Sequence, residues 1–200
     1  MGYGAGQNYN TMALRNGGTF SVTGTWACGR EGSYNNLTVN GSGSAFSATS
    51  KLFLGVLAGA EANTVTFENS GLVKLENENF NLEVLADADN KVQFAQGYLA
   101  IAGNQIEFSW VPRLYQDYPV ELWSGTEWVD AADAGNRAAY GWSETFYSDD
   151  EAGEAAALAD TGYSGLKGYT VWTGGEAIPE PATLGLLCLG GLLALGRRYR

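Results

Sequence analysis

Apolar and polar positions alternate in short runs that recur along the first half of the chain. Three segments overlay: NNLTVNGSGSAFSA from Asn35, NTVTFENSGLVKLE from Asn63 and NKVQFAQGYLAIAG from Asn90, their starts 28 and 27 residues apart. Each opens on Asn, continues through two alternating apolar residues, turns near a glycine and enters a second run. Period-two alternation places Leu37 and Val39, Val65 and Phe67, and Val92 and Phe94 on one face, with Thr38, Thr66 and Gln93 on the other. Further short strands are predicted at Leu52–Leu54, Val73–Leu75, Leu82–Leu85 and Leu99–Ala102. A period in the twenties with two or three short strands predicts a mainly β fold, a right-handed parallel β-solenoid with rungs about 4.8 Å apart. The competing architecture is an antiparallel sandwich, because short strands alone do not reveal their pairing. In the solenoid, Asn side chains stack as ladders at the turns, and Gly41, Gly43, Gly71 and Gly97 permit tight corners.

The character changes after Gln105, where Phe108, Trp110, Tyr115, Tyr118, Trp123, Trp128, Tyr140, Trp142, Phe146 and Tyr147 crowd together. The recurrence stops here. Strands are expected at Ile106–Trp110, Val120–Trp123 and Tyr169–Thr173, and a short helix at Glu151–Leu158 ending before Gly162. These elements are expected to form a β-rich aromatic cap that closes the open end of the solenoid, since an unpaired last rung invites aggregation. The chain thus divides into an irregular segment 1–16, solenoid-like repeats 17–105, a cap 106–176 and a tail 177–200.

The tail reads IPEPATLGLLCLGGLLALGRRYR from Ile178. Its fifteen residues 182–196 carry no charge, and as a helix they would extend about 22 Å, against a hydrocarbon core of roughly 30 Å. A transmembrane helix over 182–196 is expected, its span completed by flanking residues. Arg197, Arg198 and Arg200 would hold the cytoplasmic side, leaving the body outside. Pro179 and Pro181 keep the preceding stretch extended and present Glu180 on an accessible segment. Pro179-Glu180-Pro181, an apolar run and a terminal arginine cluster, in that order, resemble the PEP-CTERM sorting signal, with Ile178 where the family often has valine. The resemblance implies export, recognition by a membrane-embedded exosortase of exopolysaccharide-producing bacteria, and processing near Pro179–Pro181. Residues 17–105 resemble, by composition, the autotransporter-associated strand repeats that accompany such tails. The first twenty residues lack both the basic and the apolar region of a secretory signal peptide, so the true start is expected upstream, or the chain is a fragment.

Charge is split along the chain. Residues 1–180 hold all 22 acids and only eight bases, a net −14, and the tip is +3. An acidic body with scattered cations does not attract phosphate backbones, so no nucleic-acid partner is expected. With no histidine, Ser-His-Asp and Cys-His catalysis and HExxH zinc sites are excluded. Cys28 and Cys188 lie in such different surroundings that both are expected as free thiols. Asp149, Asp150, Glu151 and Glu154 read as a solvated helix start rather than a glycosidase pair. Asp87, Asp89 and Asn90 have alternate acid spacing but lack the glycine and final glutamate of a calcium loop. GSGSAF from Gly41 lacks the third glycine of a dinucleotide fingerprint.

Trp123, Trp128 and Trp142 are the candidates for stacking on sugar rings, against the plainer role of cap core. The sequence reads as an exported, non-enzymatic structural or adhesive protein of the cell surface or matrix, with no cofactor or metal. Its expected partners are the membrane, an exosortase-like enzyme and exopolysaccharide. The alternative is a polysaccharide-binding module or a polysaccharide-active β-helix enzyme.

Overall fold

The computed structural model describes residues 7–55, 60–76, 82–84, 89–106 and 119–178. Fifteen strands and two helices order them. The repeating strands are β1 (Thr11–Leu14), β2 (Thr19–Val22) and β3 (Trp26–Cys28), then β4 (Asn36–Asn40), β5 (Ala45–Ala48) and β6 (Leu52–Leu54). They continue with β7 (Thr64–Glu68), β8 (Leu72–Leu75) and β9 (Leu82–Val84), and then β10 (Lys91–Ala95) and β11 (Gly97–Ala102). Like strands of successive rungs pair in parallel: β1-β4-β7-β10 in a first sheet, β2-β5-β8-β11 in a second and β3-β6-β9 in a third. The fold is therefore a parallel β-solenoid of about three turns, and the parallel pairing sets the antiparallel sandwich aside.

Register converts the sequence recurrence into columns. Leu37, Val65 and Val92 lie in one column, and Val39, Phe67 and Phe94 in the next. These six side chains are fully buried with Phe46, Leu52, Leu54, Leu75, Leu99 and Ile101 in one cluster. Burying a residue of this size is worth about 1.5–3 kcal/mol, so these columns are the main source of cohesion between rungs. Thr38 and Thr66 occupy the alternate face, although they are only 8% and 4% exposed.

Asparagine fixes one corner before each of β1, β4, β7 and β10. The Asn10 Nδ2 donates to Asn35 Oδ1 (2.8 Å), the Asn35 Nδ2 to Asn63 Oδ1 (2.9 Å) and the Asn63 Nδ2 to Asn90 Oδ1 (2.9 Å). Each oxygen also accepts from the backbone N–H of the preceding ladder residue, at 2.9–3.1 Å. Parallel rungs with Asn in equal phase satisfy buried amides in this way without water. The residue before each ladder Asn is left-handed: Tyr9, Tyr34, Ala62 and Asp89 have φ of 59°, 58°, 53° and 54°.

The solenoid extends beyond both expected limits. β1 lies inside the segment 1–16 that was expected to be irregular, because Asn10 places Thr11–Leu14 in phase with Asn36–Val39. At the other end β12 (Val120–Trp123) pairs in parallel with β10, Val120 beside Val92, so the first-sheet register persists past residue 105. The chain then reverses. β13 (Trp128–Asp130) pairs antiparallel with β12, α1 (Ala134–Ala139) follows, and the second sheet is extended by β15 (Tyr169–Gly174), antiparallel beside β11, and by β14 (Ser143–Phe146), antiparallel beside β15. Trp142 meets Phe94 edge to face at 5.3 Å, and Trp172 is buried in the main cluster, so aromatic rings cover the last rung.

α2 (Glu151–Thr161) follows β14 and runs three residues beyond the expected Leu158, to a left-handed Gly162 cap. It buries Gly153, Ala157 and Thr161, a stripe with spacing four, and Ala157 joins Leu72, Ala100, Tyr147, Leu166 and Val171 in a second cluster. Leu72 and Ala100 alternate with inward Val73 and Leu99, so the helix covers the outer face of the second sheet. The expected strand Ile106–Trp110 and the tail helix 182–196 fall almost wholly or wholly outside the described residues.

Candidate functional site

The chain leaves the body at the end of β15, and several contacts hold it there. The Gly175 N–H donates to Tyr140 O at 2.8 Å and the Glu176 N–H to Trp123 O at 2.7 Å. Two residues on, Asn69 Nδ2 donates to Ile178 O at 2.9 Å. The body therefore grips the chain up to the residue before Pro179. Pro179, Glu180, Pro181, Arg197, Arg198 and Arg200 lie outside the described residues.

A groove of about 400 Å³ opens beside this exit, lined by Ser70, Gln96, Tyr98, Tyr140, Thr173 and Glu176 among others. Its floor is main chain: the Ser70 N–H donates to Gln96 O (2.7 Å) and the Gln96 N–H to Gly174 O (2.8 Å). No linear motif announces these residues. Corner turns of two rungs meet the end of a strand more than seventy residues later, through the insertion of β15 beside β11.

The three tryptophans divide. Trp123 and Trp128 face each other across the β12–β13 pair, ring centroids 5.2 Å apart, and both are partly buried. Trp142 packs on Phe94 and donates its indole N–H to Glu144 Oε1 at 2.6 Å. Burial raises the Glu144 carboxyl, while the Trp142 hydrogen bond and the Arg137 charge act in the opposite sense. Cys28 is fully buried, and desolvation pushes its thiol up to about 12, so thiolate is scarce at neutral pH and the residue behaves as core. Among the described residues, no three His, Cys, Asp or Glu side chains gather as a metal site.

The acids around α2 serve the helix. Asp150, its N-cap, is held below its ordinary value of 3.8, first by the Gly153 N–H and then by the Ser148 hydroxyl. Glu154 is held below 4.5, first by the Gly165 N–H, which reaches Oε1 at 2.6 Å. Both contributions exist above the unfolded values and vanish as pH falls through the lower folded ones. Glu144 has the opposite sign: its contribution is present in acid and is lost as pH rises through its raised folded value. Thermal unfolding scans from pH 6 to pH 2.5 should show stability falling below about pH 4.5, the ordinary glutamate range. An Asp150→Asn, Glu154→Gln double variant keeps acceptors without titrating and should flatten that limb; an unchanged limb would place the acid sensitivity elsewhere.

Residues 177–200 match the PEP-CTERM protein-sorting motif. The chain thus carries a signal for export and for processing at the cell surface. No curated protein matches this sequence. No solved structure matches it either, so the resemblance of residues 17–105 to autotransporter-associated repeats has no support from relatives. Among the described residues no helix is long and apolar enough to cross a membrane.

Proposed function

We propose that this protein is a non-enzymatic structural or adhesive component of the bacterial cell surface or extracellular matrix, delivered there by its sorting tail. The observation that carries the reading is the junction. A solenoid with aromatic rings over its last rung holds its chain to Ile178, and the sorting motif matches from residue 177. An exosortase-like membrane enzyme would meet Pro179-Glu180-Pro181 as an extended segment next to a folded domain. The apolar residues 182–196 would halt in the bilayer during that encounter, with Arg197, Arg198 and Arg200 on the cytoplasmic side. Exopolysaccharide is the matrix partner this reading favours, and the body keeps its fold after the tail is lost because its core columns all precede Ile178.

Mass spectrometry of the surface fraction from the native host tests this. The expected product ends near Pro181 and lacks Cys188 and Arg200. Recovery of the intact chain from the cytosol would overturn the export reading. Substitution of Pro179 and Pro181 by alanine should leave the body folded and the tail attached.

A further inference from the structure

We propose that the groove beside the chain exit is a binding site for a short neutral saccharide. This rests on the reading of the body as a non-enzymatic surface component and names the ligand class it takes. The volume of about 400 Å³ lies within the range of about 300–1,000 Å³ usual for small-ligand sites.

The lining selects the chemistry. The described lining residues are two tyrosines, Tyr98 and Tyr140, two hydroxyl residues, Ser70 and Thr173, the neutral amide residue Gln96 and a single acid among them, Glu176. Among the described residues no Lys or Arg lines the groove, and the body around it is strongly acidic, so anionic ligands are repelled. Among the described lining residues Ala139 is the one with an aliphatic side chain, which leaves little for a lipid chain. A sugar ring suits what remains: its C–H face rests on a phenol ring, and its hydroxyls both donate and accept.

The groove is also prepared for a ligand. Its main-chain polar groups are already engaged, Ser70 with Gln96, Gln96 with Gly174 and Gly175 with Tyr140. The side-chain polar groups of Ser70, Gln96, Tyr140, Thr173 and Glu176 bond to no other described residue and are free to meet a ligand. Backbone conformation shapes two of the lining residues. Ser70 and Gln96 hold left-handed φ of 68° and 60°, which a β-carbon disfavours. At the corresponding corner of the second rung, away from the groove, Gly41 and Gly43 take φ of 88° and 78° without that cost. Left-handed side-chain residues also stand at corners away from the groove, Asn16, Tyr34 and Ala62 among them, so the conformation here sets how Ser70 and Gln96 enter the lining and does not by itself mark a site.

The test uses the full chain in detergent micelles, titrated calorimetrically with cellohexaose, maltohexaose and mannohexaose. At least one hexasaccharide should bind. Gln96→Gly should weaken it at least tenfold while raising the unfolding midpoint, because glycine accepts the left-handed corner and removes the amide. Tyr140→Phe should weaken binding several-fold at an unchanged midpoint, and Trp128→Ala should leave binding unaltered. The proposal is overturned if none of the three sugars binds, if Gln96→Gly and Tyr140→Phe bind like the unaltered protein, or if Trp128→Ala alone abolishes binding. Binding that is lost in Gln96→Gly but is accompanied by release of reducing ends would support the groove and overturn only the non-enzymatic reading. Localisation to the cytosol would overturn export without touching this result.

Discussion

Asn63→Ala is expected to cost about 3–6 kcal/mol, a large share of the stability of a domain whose total is about 5–15 kcal/mol. Asn63 is fully buried at the centre of the ladder. Its Oδ1 is the acceptor for both the Asn35 backbone N–H (3.0 Å) and the Asn35 Nδ2 (2.9 Å), and its Nδ2 donates to Asn90 Oδ1 (2.9 Å). Truncation leaves the Asn35 N–H without its acceptor and weakens two further buried amides, each such loss costing about 1–3 kcal/mol. Gly29 and Gly55 tighten the constraint: a β-carbon at Gly29 would stand 2.1 Å from Asn63 Oδ1, and one at Gly55 would stand 2.2 Å from Asn90 Nδ2, so no larger neighbour can fill in. Urea unfolding followed by circular dichroism measures the loss. Asn10→Ala, at the exposed end of the same ladder, should cost less than about 1 kcal/mol. Equal losses at the two positions would refute the ladder as a cooperative buried element.

Gly97→Ala should cost about 3 kcal/mol and lower the unfolding midpoint by about 10 °C. A β-carbon there would lie 2.3 Å from the Phe67 carbonyl carbon and 2.5 Å from the Phe67 Cβ. Neither atom is the far end of a flexible side chain. Gly97 pairs with Gly174 of β15 and leads into the β8 pairing from Tyr98, so relief by displacement would disturb two strand interfaces. Gly125→Ala is the control: its φ of 92° is costly for alanine, but nothing stands within 4 Å of the added carbon. It should lose about 1–2 kcal/mol. Differential scanning calorimetry of both variants separates close approach from backbone preference, and a smaller loss at Gly97 than at Gly125 would contradict the packing geometry.

What was legible in the sequence is what the solenoid repeats. Val65 beside Val92 followed from alternation locked to Asn63 and Asn90, because parallel stacking requires equal phase in every rung. Helix α2 was legible at its start, Glu151, and in its stop before the left-handed Gly162, although it runs to Thr161 and not to the expected Leu158. β1 was missed because TMAL is four residues with only Asn10 to mark its phase. β12 was expected as the strand Val120–Trp123, but its parallel place beside β10 was not, because the sequence before it lacks the Asn that opens the earlier repeats. The sorting motif is linear and could be read directly. The groove could not: Ser70, Gln96, Tyr140 and Thr173 become neighbours only when β15 lies antiparallel on β11, a pairing that no local preference specifies.

The placement of β15 also has a mechanical consequence. Tension arriving through the chain beyond Ile178 first meets the Asn69 contact and the Gly175 and Glu176 N–H bonds, and then enters the body along β15. That strand is braced on both sides, by six register pairs with β11 and four with β14. Its ladder bonds lie across the strand, so a lengthwise pull strains them side by side in shear instead of opening them one after another. A protein tethered by this end would meet traction at a doubly supported strand, and the parallel rungs behind it would feel the pull only after β15 had slipped.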